Sequence, residues 1–399
     1  MTLPFIPLRR SLLRGLAAGA LTSMLPLRGL AGNTLPANKN LIIVELSGGN
    51  DALNTLVPYR DPLYRHYRPT LALNTNEYAP LNDDLAFNIA WKRLVDIFQK
   101  GEIAVVQDVG YPSPNLSHFS SAAIWANGAD TPTLKSGWAG RVLNTYSLQE
   151  RHHDADGIIL SGDQSLLIHP ATQALALQDS RALLNAELST LTALKNDKDN
   201  PAARHIFQLM ENTSMISRRI QSKLLGQNRF TRWFTQNGYI EPQNAQAATA
   251  LWLIENNVRS PLYKISLSGF DLHTNLRGEH ERLLSKVETL LLGLRRGLIE
   301  IGAWQDSLIM VHSEFGRRPQ ENASGGADHG TCGPVLLLGG HVEGGIWGGR
   351  SPLDKLDNDG NPYFSTDFRS IYTTVAERFW KLPAIHAGGA SFSPLNIQL

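Results

Sequence analysis

The stretch "NLIIVELSGGND", residues 40–51, decides the fold. It is a nearly continuous apolar run closed by two glycines and two polar residues. A strand of that kind has no water-facing side, so it must be covered on both faces, as in a parallel sheet sandwiched by helices. Four further runs read the same way: "EIAVVQDVG" (102–110), "YKISLSGF" (263–270), "SLIMVHSEFG" (307–316) and "GPVLLLGG" (333–340). All five are expected to be buried parallel strands. Between them lie helical patterns at 85–101, at 117–128 with Ser117 as N-cap, at 275–304, and at 366–380 with an acid in its first turn. Strands alternating with helices predict an α/β fold with an open, mostly parallel central sheet flanked by helices. Residues 32–399 read as one such domain. Its middle, about 170–260, is helical in pattern and is expected to be an insertion covering one side of the sheet.

The chain has 399 residues, 42% hydrophobic and 18% charged, enough apolar material for a sizeable core. A formal net charge of +1 gives no reason to expect a nucleic-acid partner. With one cysteine, Cys332, no disulfide can form within the chain. The N-terminal stretch "LRRSLLRGLAAGALTSMLPLRGLAGN" (8–33) has the pair Arg9 and Arg10, an apolar segment from Leu16 to Leu27, and small residues at Gly29 and Ala31. That is the plan of a twin-arginine export signal cleaved after Ala31, with a periplasmic destination. The apolar segment is too short and interrupted to span a membrane, and the mature chain is expected to have no integral membrane segment.

Ligand-type residues follow each strand. The first leads to Asp51, the second to Ser117 and His118, the third to Asp271 and His273, and the fourth to Glu314 and then Asp328 and His329. Arg317 and Arg318 stand on the same loop as Glu314 and could bind an anionic group. In open parallel sheets the ligand crevice lies at the carboxyl ends of the strands, so separate segments aim these groups at one edge. Asp271 and His273 are two apart and share a side in extended chain. His329 is preferred as a ligand, with Asp328 as its outer partner or an alternative ligand. Carboxylates mixed with imidazoles suit a divalent Zn, Mn or Fe ion better than Ca or Mg. Ser117 opens a helix where free N–H groups favour an anion, which makes it a candidate nucleophile with His118 beside it as a second catalytic candidate rather than a metal ligand, although serine also serves there as an ordinary cap. Asp51 after two glycines could equally make a simple turn.

The segments "VELSGGNDALNTLVPYRDPLYRHYRPTLAL", "NLSHFSSAAIWANG", "GWAGRVL", "SGFDLHTN", "HSEFGRRPQENASGGADHGTCGPVLLLGG" and "STDFRSIYTTV" resemble the exported bacterial proteins grouped as domain of unknown function 1501. The similarity runs from about residue 40 to 380. It implies an alkaline-phosphatase-like fold, kin to the phosphatase and sulfatase superfamily. It further implies that Asp51 matches a metal-binding acid, Ser117 falls near the nucleophile, Asp271 and His273 match one metal site, and His329 matches its last histidine. Glu314 falls where that superfamily has an aspartate followed by histidine, but the following residue here is Phe315. One or two ions are therefore open. The expected activity is hydrolysis of a small phosphate or sulfate ester, with in-line attack by Ser117 or an ion-activated water. A phosphomutase-like transferase would share the site. The alternative class is a non-catalytic exported binding or assembly protein, whose partner the sequence does not name.

Overall fold

A computed structural model describes residues 39–145, 153–177, 201–239 and 244–399. The proposed export signal at 1–31 lies outside the described residues, as does the whole segment 178–200. The main sheet has nine strands: β1 (Asn40–Ser47), β5 (Ile103–Gly110), β6 (Gly157–Ile159), β7 (Ala174–Ala176), β8 (Leu262–Ser268), β9 (Ser307–His312), β12 (Gly333–Gly339), β13 (Gly345–Trp347) and β14 (Thr366–Asp367). Their order is β13-β5-β12-β9-β1-β8-β6-β7, with β14 beside β5. A small antiparallel sheet joins β2 (Leu56–Val57), β4 (Ala86–Asn88) and β3 (Tyr78–Pro80), and a hairpin pairs β10 (Arg317–Glu321) with β11 (Ala327–His329).

The fold class read from the sequence is the observed one: a mixed, mostly parallel sheet between helices. β1 shows why. Ile42, Val44 and Leu46 face one apolar layer, which holds the helices Asn244–Glu255 and Leu276–Glu300. Leu41 and Ile43 face the other, with His118–Asn127, Trp138–Leu143 and Phe368–Thr374. The period-two alternation thus feeds two cores, one on each face of the sheet.

Three expectations are corrected. β12 is antiparallel to both β5 and β9, not parallel. The chain between β9 and β12 makes only the β10–β11 hairpin, with no helix to carry it back, so it must return in the opposite direction. The patterned stretch 85–101 begins as strand β4, pairing with β2 and β3, and becomes α-helical only over Lys92–Gln99. Of the stretch 366–380, Thr366 and Asp367 pair with β5, and the helix starts at Phe368, capped by the Asp367 carboxylate. In the middle region the described parts are the helices Pro201–Gln221, Phe230–Gln236 and Asn244–Glu255, together with strand β7.

β5 carries one strained residue, Asp108, at φ +42. Its carboxylate accepts the Ser351 N–H, and burial pushes it up to about 6. The folded state therefore holds this proton more tightly than the unfolded chain does. Stability from this group is full at low pH and is lost as pH rises through about 6. Asparagine keeps the acceptor, carries no charge and tolerates the left-handed region. Asp108→Asn is expected to raise stability by about 1–3 kcal/mol at neutral pH, with the gain shrinking toward zero as pH falls to about 4. Urea unfolding at the two pH values measures it, and an equal effect at both would show that the charge is not responsible.

Candidate metal centre

The carboxyl ends of β1, β5, β8 and β9 and the amino end of β12 meet at one edge of the sheet. The chain leaves β1 through Gly48 (φ +121) and Gly49 (φ +71). A Cβ on Gly48 would stand 2.4 Å from the Asp271 backbone nitrogen, and one on Gly49 would stand 2.4 Å from the Phe315 ring. Only glycine lets the three loops approach this closely.

Asp271 Oδ1 is the hub. His273 Nε2 lies 3.0 Å from it, His329 Nε2 3.3 Å and His118 Nε2 3.4 Å. The Nε2 atoms of His273 and His329 are 3.0 Å apart. Burial acts to raise the Asp271 carboxyl, but the Arg317 guanidinium, 2.7 Å away, outweighs it and holds it at about 2. Burial and the Arg317 charge together push His329 down, which favours its neutral form.

The outer partners fix which ring nitrogen carries the proton. His118 Nδ1 lies 2.8 Å from Glu314 Oε1, which in a carboxylate can only accept. His329 Nδ1 donates to the Leu116 carbonyl at 2.7 Å. His273 Nδ1 faces Asp328 Oδ1 at 3.5 Å. In the neutral rings of His118 and His329 the proton therefore sits on Nδ1, which leaves Nε2 as the lone-pair nitrogen toward Asp271. The buried His118 Nε2 has no hydrogen-bond partner. Imidazole nitrogens and a carboxylate oxygen are thus gathered in one place, where the Arg317 guanidinium already bonds Asp271 Oδ1. A tetrahedral ion with ligands at about 2.0–2.1 Å needs donors separated by roughly 3.3 Å, close to the spacings seen. His118, Asp271 and His329 form a group whose ligand atoms all lie within 4.8 Å of one another. His273 stands outside that group: its Nε2 lies 3.0 Å from Asp271 Oδ1 and meets Arg317 Nη1 at 3.3 Å.

Of the residues singled out from the sequence, His118, Asp271, His273 and His329 come together here. Asp328 stands behind His273 rather than behind His329. Glu314 is an outer group: its carboxylate takes the Gly48 N–H, His118 Nδ1 and the Ser313 hydroxyl. Asp51 is elsewhere. Both its oxygens are held by Arg68, at 2.6 and 2.8 Å, and neither side chain reaches water. Arg317 is a framework residue: its fully buried guanidinium ties the carbonyls of Gly49, Ala327, Gly48 and Phe270 to Asp271. Arg318 bonds Asn361 and takes no part in the cluster. Ser117 is exposed and makes no side-chain cap bond, while the preceding residue, Leu116, touches His329. Phe315 packs under the rings of His118 and His329, each 4.8 Å away.

The sequence reading missed Arg68 and the buried His280, which contacts Asn50 and Thr55. Arg68 gives no signal in "YRPTLAL" beyond being one of several arginines. Its role follows only from the turn that brings it back to Asp51.

No helix among the described residues is long and apolar enough to cross a membrane. Solved structures similar to the chain share little sequence with it. The crystal structure of Ps i-CgsB with k-i-k-neocarrahexaose is 11% identical, covering 90% of this chain and 75% of that one at a TM-score of 0.38. Alkaline phosphatase from the Antarctic bacterium TAB5 is 9% identical, covering 76% and 92% at 0.31. The lipoteichoic acid synthase LtaP from Listeria monocytogenes is 11% identical, covering 77% and 67% at 0.32. No protein of curated function matches the sequence. The family described as protein of unknown function (DUF1501) matches residues 105–376, a span that includes the whole His118–Asp271–His273–His329 cluster, and the chain belongs to that family.

Proposed function

We propose that this protein is an exported, metal-dependent hydrolase of a phosphate or sulfate ester. The observation that carries the reading is the convergence of the His118, His273 and His329 Nε2 atoms on Asp271 Oδ1. His118, Asp271 and His329, with His273 beside them, would hold a Zn, Mn or Fe ion. Once bound, the ion supplies Lewis-acid polarisation of an ester oxygen. The negative charge of Asp271 is already matched by Arg317, so the loaded centre keeps excess positive charge and favours an anionic ligand. Asp271 and His273 are about half exposed, 49% and 45%, which leaves the centre open to a substrate rather than closed.

The Ser117 hydroxyl, uncommitted as a cap, stands at a helix N-terminus where N–H groups favour an anion. In its attack a bond forms from Oγ to phosphorus or sulfur as the opposite ester bond breaks. The serine proton ends on the departing alcohol, and water then releases the acid and restores the hydroxyl. Direct attack by water gives the same products in one step. A single ion suits the arrangement, because Asp51 and Glu314 are engaged by Arg68 and His118. Export rests on the twin-arginine pattern of residues 1–31.

The second reading, a non-catalytic binding protein that keeps the fold, is favoured by the same commitment of Asp51 and Glu314. Turnover separates the two. Protein loaded with metal is expected to release phosphate or sulfate from a panel of esters, and His273→Ala to lose most of that activity. No turnover on any ester at full metal occupancy would leave only the binding role.

A further inference from the structure

His118 turns its ring inward to Glu314, and the next side chain, Phe119, turns outward and is 92% exposed. A phenyl ring left in water forgoes the transfer free energy that burial yields. Its support is nevertheless rigid. Tyr111 Oη bonds Ser121 Oγ and receives the Asn115 N–H, Asn115 Oδ1 accepts the Ser117 N–H, and Pro112 and Pro114 restrict the loop between. A second exposed aromatic, Tyr363, is 54% exposed. Its loop is docked on the segment just after His329: the carbonyls of Pro362 and Tyr363 lie against Thr331 Oγ1 and Cys332 Sγ. These are the two most exposed aromatic side chains among the described residues; Phe119 is the second residue of the helix His118–Asn127, directly after a candidate ligand, and Tyr363 stands on the loop docked just past His329. Asn115 and Ser117, shortly before Phe119 in the chain, are polar and exposed as well, so no run of exposed apolar residues leads up to the ring. That suits a small ligand with one flat face better than a protein surface.

We infer that Phe119, directly after the candidate ligand His118, forms the leaving-group subsite of the ester site, with Tyr363 as a second exposed ring, and selects alcohols that present a flat apolar face, an aromatic or sugar ring. This rests on the ester-hydrolase reading above. The anionic head would sit at the metal centre, and the ring of the alcohol would stack on Phe119.

The test is calorimetric binding to the metal-loaded protein, with inorganic phosphate as the reference. The probes are methyl phosphate, phenyl phosphate and glucose 1-phosphate, with methyl and phenyl sulfate as the parallel pair. Phenyl or glucosyl esters are expected to bind roughly 5- to 10-fold more tightly than methyl esters. That ratio should fall to about one in Phe119→Ala and persist in Phe119→Trp. The phenyl and glucosyl arms tell which kind of ring is preferred. An unchanged ratio in Phe119→Ala overturns the subsite while leaving the hydrolase reading intact. A dimer that Phe119→Ala dissociates in sedimentation overturns it too, by making the ring a protein contact. Failure of phosphate, sulfate and every ester to bind at full metal occupancy removes the hydrolase reading and this inference together.

Discussion

Replacing Arg68 by methionine will destabilise the protein by about 3–5 kcal/mol, the cost of breaking one half of a buried ion pair. All five guanidinium donors are used: Nε on the Pro319 carbonyl, and the two Nη groups on Asp51, Asn54 and the Arg318 carbonyl. Burial alone would raise the Asp51 carboxyl, but the charge and hydrogen bonds of Arg68 hold it below the usual range. In the wild type this pair therefore stabilises above the ordinary carboxylate pKa, and its contribution is lost as pH falls through the lowered value. In Arg68→Met the sign reverses, because the stranded Asp51 does least harm when protonated. The deficit should shrink on acidification and should be partly rescued in the double variant Arg68→Met, Asp51→Asn. Denaturant unfolding of the single and double variants measures the coupling. A loss below about 1 kcal/mol would mean that water reaches Asp51 once Arg68 is gone.

The second large effect is on metal affinity. Asp271→Asn and His329→Ala should each weaken binding of Zn by at least about 100-fold, since they remove ligand atoms rather than outer partners. Glu314→Gln should cost about 10- to 100-fold without touching the ion. The glutamine carbonyl can still take the Gly48 N–H. The same oxygen, Oε1, also meets His118 Nδ1, so the ring keeps its tautomer and what is lost is the negative charge that raises its basicity as a ligand. Asp51→Asn, by contrast, should leave the stoichiometry unchanged. Chelator competition followed by elemental analysis ranks the four. If Asp51→Asn empties the protein while Asp271→Asn stays loaded, the centre lies at β1 and not at the cluster described.

The strands at 40–49, 102–110, 263–270, 307–316 and 333–340 were legible because two-sided burial leaves an unmistakable apolar run. Strand direction was not, since an apolar run reads alike both ways, and β12 reversed for want of a crossover helix. The ligand-type residues after β5, β8 and β9 could be listed from the sequence because such sheets open at that edge. Their division into inner and outer groups could not. Glu314 and Asp51 carry the same chemistry as Asp271. What separates them is which nitrogen each faces, Nδ1 of His118 for one and the guanidinium of Arg68 for the other. Those facings depend on side chains 17 and 196 residues apart in sequence. The small sheet that turned 86–88 into a strand depends likewise on partners at 56–57 and 78–80.

The reversal of β12 also bears on how this protein could diversify. The excursion between β9 and β12 begins and ends on the same rim of the scaffold, so its exposed tip at Ala323 and Ser324 can gain residues without shifting any strand against its neighbour, whereas Asn322 and Gly325 on either side are bonded to the His273 carbonyl and the Leu276 N–H. New specificity could be acquired there by lengthening a loop, while the candidate ligand His329 stays pinned at its base.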